Sequence, residues 1–317
     1  MRKNSRKIGL ILGSGSARGM SHIGVIHALE KLGITPDIVV GCSVGALVGG
    51  AYLNGNLDSL ESWAASLNKR TIARYFDLNF SMRGFVQKER MQEFYEKHVC
   101  GPHLLINQLS KPFAAVACDL SSGEEVWLRH GQVLDAIWAS MSFPGLYPSY
   151  QHDGRWLVDG GLVNPVPVSL AKAMGAEMTI AVNLNSDMAI NRELNEHVED
   201  NESGKFDHDE EPDNYEDTFI GKAKRNFRAV ASNWLGSDDD PDTLDSPKIF
   251  DVIASSVNIM QDRITRSRLV GDPPDVVLSP RLNDIGLLEL YKAKDAIEEG
   301  RACVSRMAEE ITYRINL

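Results

Sequence analysis

The sequence predicts an α/β protein with a mainly parallel sheet. Three observations carry this. Two short runs, 8–12 (Ile-Gly-Leu-Ile-Leu) and 38–40 (Ile-Val-Val), have the near-continuous hydrophobicity of strands buried on both faces. Between them, Ile23, Ile26, Leu29 and Leu32 recur at helical spacing, and Gly33 stops the helix. Each run ends in a glycine-rich turn that enters a helix, so a β-α-β unit brings both turns to one sheet edge.

The first of these turns is Gly13-Ser14-Gly15-Ser16-Ala17-Arg18-Gly19. Glycine-rich turns between a strand and a helix bind anions through backbone N–H groups. A dinucleotide fingerprint needs Gly or Ala where Arg18 stands, and an acidic residue where Cys42 and Ser43 close the second run. No Gly-Lys-Ser/Thr follows, so the turn is not a phosphate loop either. Two readings remain: an oxyanion hole beside the second turn, or a turn that merely lets a helix pack closely.

The second turn organises the chain. Ile38-Val39-Val40 runs straight into Gly41-Cys42-Ser43-Val44-Gly45, a G-x-S-x-G pentapeptide, and 46–53 continues as a small-residue helix. Strand, G-x-S-x-G, helix is the context that makes this serine a nucleophile on a strained turn. The helix also points the positive end of its dipole at the serine. Cys42 is expected to face away and pack.

Beyond it, 56–74 reads as a helix. The stretch 76–86 is irregular, with Phe76, Phe80, Met82 and Phe85 set among Arg74, Arg83 and other polar residues. These aromatics could line an acyl pocket, touch a membrane surface, or pack under the neighbouring helix. A short helix over 88–98, a buried strand over 113–118, an edge strand over 125–128 and a helix over 132–140 follow. The run 155–158 leads into Asp159-Gly160-Gly161. A helix over 166–174, stopped by Gly175, and a strand over 179–184 complete the first part.

Composition then changes. Residues 187–217 hold 13 acidic side chains against Arg192 and Lys205, which accounts for the net charge of −11. The stretch from about 187 to 245 is poor in apolar periodicity and reads as a mobile insert, with 220–235 as an exception where basic residues mix with Phe227, Val230 and Trp234. Ser246-Pro247 caps an amphipathic helix with Ile249, Ile253, Val257, Met260 and Ile264 on one stripe; a strand over 275–278 and a helix over 288–313 close the chain. The expected organisation is one domain over 1–317: a core at 8–186, the insert, and a completion at 246–317.

Four cysteines without metal-like spacing suit a reduced, cytoplasmic protein. The basic N-terminus is followed by too short an apolar run for a signal peptide, and the run 39–53 is broken by glycines. No cofactor, metal or nucleic acid is expected as a partner. Peripheral membrane contact is left open, and oligomeric state is not read.

A nucleophilic serine needs a base. Only His197 and His208 follow Asp159, and both lie in the acidic insert; the upstream histidines sit on helices or in turns. Asp159 is therefore the better partner, although Asp-Gly-Gly also opens ordinary Asx turns.

Ser14–Gly19, Gly41–Gly45 and Asp159–Gly161, in this order, resemble the patatin-like phospholipase family, in its bacterial branch related to neuropathy target esterase. The resemblance implies a three-layer α/β/α fold and lipid acyl-ester hydrolysis by a Ser-Asp dyad. It implies Ser43 as nucleophile, Asp159 as base, and an oxyanion hole from the amides of Gly15, Ser16, Ala17, Arg18 and Gly19, joined by Val44. Gly13, Gly41, Gly45, Gly160 and Gly161 are the motif glycines. The chain departs from the family where Ser14 and Ser16 replace glycines and Gly161 stands where many relatives carry Ala. The substrate is then a lipid or other acyl ester. A catalytically weak member acting on partners through the insert is the alternative.

Overall fold

The computed structural model describes residues 6–73, 88–186 and 249–316. The readings for the aromatic stretch 76–86 and for the acidic insert fall outside the described residues.

Eight strands form one sheet: β1 (Ile8–Leu12), β2 (Ile38–Cys42), β3 (Phe113–Asp119), β4 (Glu125–Leu128), β5 (Tyr150–His152), β6 (Arg155–Asp159), β7 (Met178–Val182) and β8 (Val276–Leu278). The order is β5-β6-β3-β2-β1-β7-β8, with β4 also paired to β3. The β1–β2, β1–β7, β2–β3 and β7–β8 pairs are parallel, while β4 and β6 run antiparallel to β3. Every residue of β1, β2, β3 and β7 is buried, as their unbroken hydrophobicity predicts.

Alternate side chains feed two cores. Leu10, Leu12, Val39, Phe113, Ala115, Ile180 and Val182 join the larger one, with helices α1 (Ser21–Lys31), α2 (Val44–Leu53) and α6 (Val133–Ser140). Ile11, Ile38, Val40, Ala114, Val116 and Ala181 join the smaller one on the other face, with α7 (Val168–Ala173). The sheet is thus a layer between two layers of helix, and the α/β/α expectation holds.

One register detail positions the chemistry. Ala115 pairs with both Gly41 of β2 and Leu128 of β4, so β2 and β4 lie on opposite edges of β3. Ala117 pairs with both Val126 of β4 and Asp159 of β6, so β6 shares the β2 edge. The partners of adjacent β3 positions are Cys42 (at Val116) and Asp159 (at Ala117). Two strands running in opposite directions therefore meet end to end, and Ser43 and Asp159 follow from that meeting.

Several boundaries differ from expectation. The helix over 56–74 is two, α3 (Leu57–Ser66) and α4 (Lys69–Ala73), because the Asn68 Oδ1 accepts from the Arg70 and Thr71 amides and starts a new helix. α5 (Lys88–His98) follows. β5 was not anticipated; it pairs with β6 through a turn at Asp153 and Gly154, both at positive φ. The long helix α8 (Ile249–Gly271) buries Val257, but Met260 is 47% exposed and the covered positions include Gln261, Asp262 and Thr265. The apolar stripe is thus only partly the inward face. The closing helix splits at Met307 into α9 (Ala293–Arg306) and a last helix, Ala308–Asn316.

Candidate active site

The site forms where β1, β2 and β6 end. Ser43 takes φ 54 and ψ −123, a conformation that L-residues avoid and that a serine holds only when its surroundings fix it. Two contacts do so. A Cβ on Gly45 would lie 2.0 Å from the Leu12 carbonyl oxygen, so only glycine lets α2 start this close to β1. The Ser43 N–H donates to Ser140 Oγ at 2.8 Å, and Ser140 Oγ in turn donates to the Val116 carbonyl at 2.6 Å.

Ser140 carries no motif and was not foreseen. It is fully buried at the end of α6. Ser140→Ala strands both the Ser43 amide and the Val116 carbonyl, so we expect a loss of about 1–3 kcal/mol in stability. Turnover should fall with it, as the elbow loosens. Thermal melts and kcat on a soluble acyl ester check both.

Held this way, Ser43 Oγ donates to Asp159 Oδ2 at 2.6 Å. Asp159 is 1% exposed and caps the short 3₁₀ turn Gly160–Leu162, its Oδ1 accepting from the Gly161 amide at 2.7 Å. Burial pushes its carboxyl up to about 6; the hydrogen bonds from Ser43 and Gly161 pull in the other direction. His22 is buried on α1, bonds the Gly13 carbonyl at 2.8 Å, and is held near 4 by desolvation, so it is a neutral structural group. Cys42 is fully buried with its thiol pushed up, which makes it inert packing. His197 and His208 lie outside the described residues.

The glycine-rich loop lies against the same point. Its amides are partly spent: Gly13 donates to the Val182 carbonyl, Ser14 to Pro165, Ala17 to Leu287 and Arg18 to Gly15. Among the described residues, no backbone acceptor meets the amides of Gly15, Ser16 or Val44. Ser16 sits at φ 50, and its hydroxyl donates to the Leu287 carbonyl at 2.6 Å. Arg18 is buried and sends Nε to the Ile285 carbonyl at 2.7 Å, so this guanidinium braces the loop. Gly19 packs on Val44, where a Cβ would come within 2.0 Å of its side chain.

A cleft opens over Ser43. Leu47, Trp63, Phe94, Met141, Phe143 and Tyr147 give it apolar walls, and Ser14, Ser16, Asn258 and Gln261 add polar groups to the lining.

A family model described as patatin-like phospholipase matches residues 10–172. That is half the chain, and it contains Ser43, Asp159 and the whole loop between β1 and α1. The chain belongs to the patatin-like phospholipase family. As a patatin-like protein it is an enzyme, a carboxylic ester hydrolase of the lipid acyl hydrolase kind. It is similar to an uncharacterized NTE family protein of Mycobacterium tuberculosis, at 32% identity over 96% of this chain and 92% of that one. It is also similar to the lysophospholipase nte1 of Aspergillus fumigatus, at 26% identity over 96% of this chain but 18% of that protein. Among solved structures, VipD from Legionella pneumophila matches with a TM-score of 0.46 at 12% identity, over 97% of this chain and 67% of that one. Residues beyond 172, including Gln261, Ile285 and Leu287, fall outside the family match although they touch the patatin-like site. Among the described residues, no helix is long and apolar enough to cross a membrane.

Proposed function

We propose that the chain hydrolyses the acyl esters of single-chain or other accessible lipids through a Ser43–Asp159 dyad. The observation that carries this is the 2.6 Å hydrogen bond from a strained serine to a buried carboxylate. Asp159 takes the Ser43 proton as Oγ attacks the ester carbonyl, and an acyl-enzyme forms. The alkoxide of the lipid leaves with that proton. Asp159 then draws a proton from the water that attacks the acyl-enzyme, and returns it to Ser43 Oγ as the fatty acid is freed.

Charge on the tetrahedral oxygen falls to the uncommitted amides of Gly15, Ser16 and Val44. Of the six amides the sequence offered, Ala17 and Arg18 already have acceptors and Gly19 lies within the 3₁₀ turn Ser16–Met20, which leaves these three. Losing one such donor typically costs about 10²–10³ in rate. The N-terminus of α2 adds its dipole at the same point. The apolar walls suit an acyl chain, and the polar side chains in the lining suit the polar part of the ester. The lysophospholipase relative supports a substrate with one acyl chain.

A dyad based on a carboxyl near 6 predicts a rate that climbs as pH rises through about 6 and then levels, since only the ionised form accepts the proton. The test joins a pH–rate profile to reaction with a fluorophosphonate and mass mapping of the adduct. We expect a single adduct on Ser43 and a midpoint near 6. An adduct elsewhere, or a profile flat from pH 5 to 8, would overturn the assignment.

A further inference from the structure

Two of this chain's residue choices around the site, Ser14 and Gly161, meet one residue outside the family match. Gln261 lies on α8 and is 5% exposed. Its Oε1 accepts from Ser14 Oγ, in the loop between β1 and α1, at 3.3 Å. Its Nε2 occupies the space that a side chain at Gly161 would fill: a Cβ there would stand 2.3 Å from that nitrogen and 3.0 Å from Asp159 Oδ1. The Gly161 amide is the one that holds Asp159 Oδ1. One amide side chain therefore spans from the loop of uncommitted amides to the turn that carries the carboxylate, and it also lines the cleft.

A glutamine buried in this way is costly unless its polar atoms are used. An apolar residue of the same length would cover the cleft without that cost. Glycine at 161 is also not conformationally required, since its φ is not among the positive ones. What the glycine supplies is room. Ser14, Gly161 and Gln261 thus fit one another as a set.

We propose that Gln261 is a positioning residue, one that sets the spacing between the oxyanion-loop amides and Asp159. It does not touch the reacting atoms. It keeps Ser14, and so the neighbouring Gly15 and Ser16 amides, in register with the carboxylate that Ser43 faces. The inference rests on the Ser43–Asp159 reading above. It makes α8 part of the catalytic machinery of this chain.

The colliding atom at Gly161 is the far end of a flexible side chain, so Gly161→Ala should push the Gln261 amide aside without disturbing the backbone. That gives a test in which stability and positioning separate. Gln261→Ala, Gly161→Ala and the double variant are compared for kcat, KM and melting temperature on a soluble acyl ester, with Ser43→Ala alongside. Misplacement of a positioned group by a fraction of an ångström supports an expected loss of about tenfold in kcat for each single variant, with KM within about twofold. Gly161→Ala should melt close to the native chain. The double variant should be no slower than Gln261→Ala, because the alanine at 161 then has no glutamine amide left to displace and keeps only its 3.0 Å approach to Asp159 Oδ1.

Native kcat in Gln261→Ala would overturn the proposal. So would losses that multiply in the double variant, or a Gly161→Ala defect that follows a lowered melting temperature. The control separates the two levels. Turnover surviving in Ser43→Ala sinks the dyad itself, whereas an inactive Ser43→Ala beside a fully active Gln261→Ala sinks only the role of Gln261.

Discussion

Asp159→Asn should lose at least about 10⁴-fold of ester turnover, the scale on which serine hydrolases fall when a catalytic aspartate becomes asparagine, and should at the same time melt higher than the native chain at pH 8. The two effects have one cause. Asn keeps the shape: its Oδ1 accepts from the Gly161 amide and its Nδ2 donates to Ser43 Oγ, but it cannot take the serine proton. Stability moves the other way because burial raises the native carboxyl from 3.8 to about 6. A folded-state value above the unfolded one means that folding favours the protonated acid. That stability is fully present below about 4 and is lost as pH rises through about 6. At pH 8 the buried anion therefore costs on the order of 3 kcal/mol, which asparagine does not incur. Melting curves at pH 4, 6 and 8 for both proteins check this. The gap should be widest at pH 8 and close towards pH 4. Ser43→Ala should lose comparable activity but keep a pH-dependent melt, since its carboxyl remains.

The largest loss of stability is expected away from the site, where α1 crosses α9. A Cβ on Gly24 would lie 1.9 Å from the Ile297 carbonyl oxygen, and one on Gly300 would lie 2.0 Å from the Ser21 carbonyl oxygen. Both collisions are with backbone, so no side-chain rotation relieves them and the helices must part. Total stability of such domains is only about 5–15 kcal/mol. Gly24→Val and Gly300→Val should each remove more than about 4 kcal/mol of it, in the range of severe core defects. Denaturant titration reads this directly, with most of each variant expected in the insoluble fraction. Gly33→Ala offers the contrast: it meets no atom and strains only φ 75, so it should cost about 1 kcal/mol.

The parts of the site that were legible in the sequence are those that local rules dictate. A buried β-branched strand followed by Gly41–Gly45 and a small-residue helix points to an elbow, whereas Asp159-Gly160-Gly161 also fits an Asx turn and stands out only because no histidine is placed to serve the serine. Ser140 was illegible because its role arises from a register, in which α6 ends over the meeting of β2, β3 and β6. β5 is three residues long and gives no periodic signal. Gln261, Asp262 and Thr265 read as the wet face of an amphipathic helix, because hydropathy cannot tell a solvated polar residue from a buried one that is satisfied. The brace from Ile285 and Leu287 rests on backbone carbonyls, which leave no trace in side-chain identity.

That brace has a consequence for synthesis. The elbow leaves the ribosome early, but the loop beside it is fastened by Leu287, and Ser21 is covered by Gly300 from a helix made far later. Contacts of such sequence separation form late. At about 5–20 residues per second, some 10–50 s pass between making Ser43 and making the turn that clamps its loop. For the latter part of that interval, once Asp159 has been made, the serine and the aspartate share one chain while the Leu287 carbonyl that fastens the neighbouring loop is still to come.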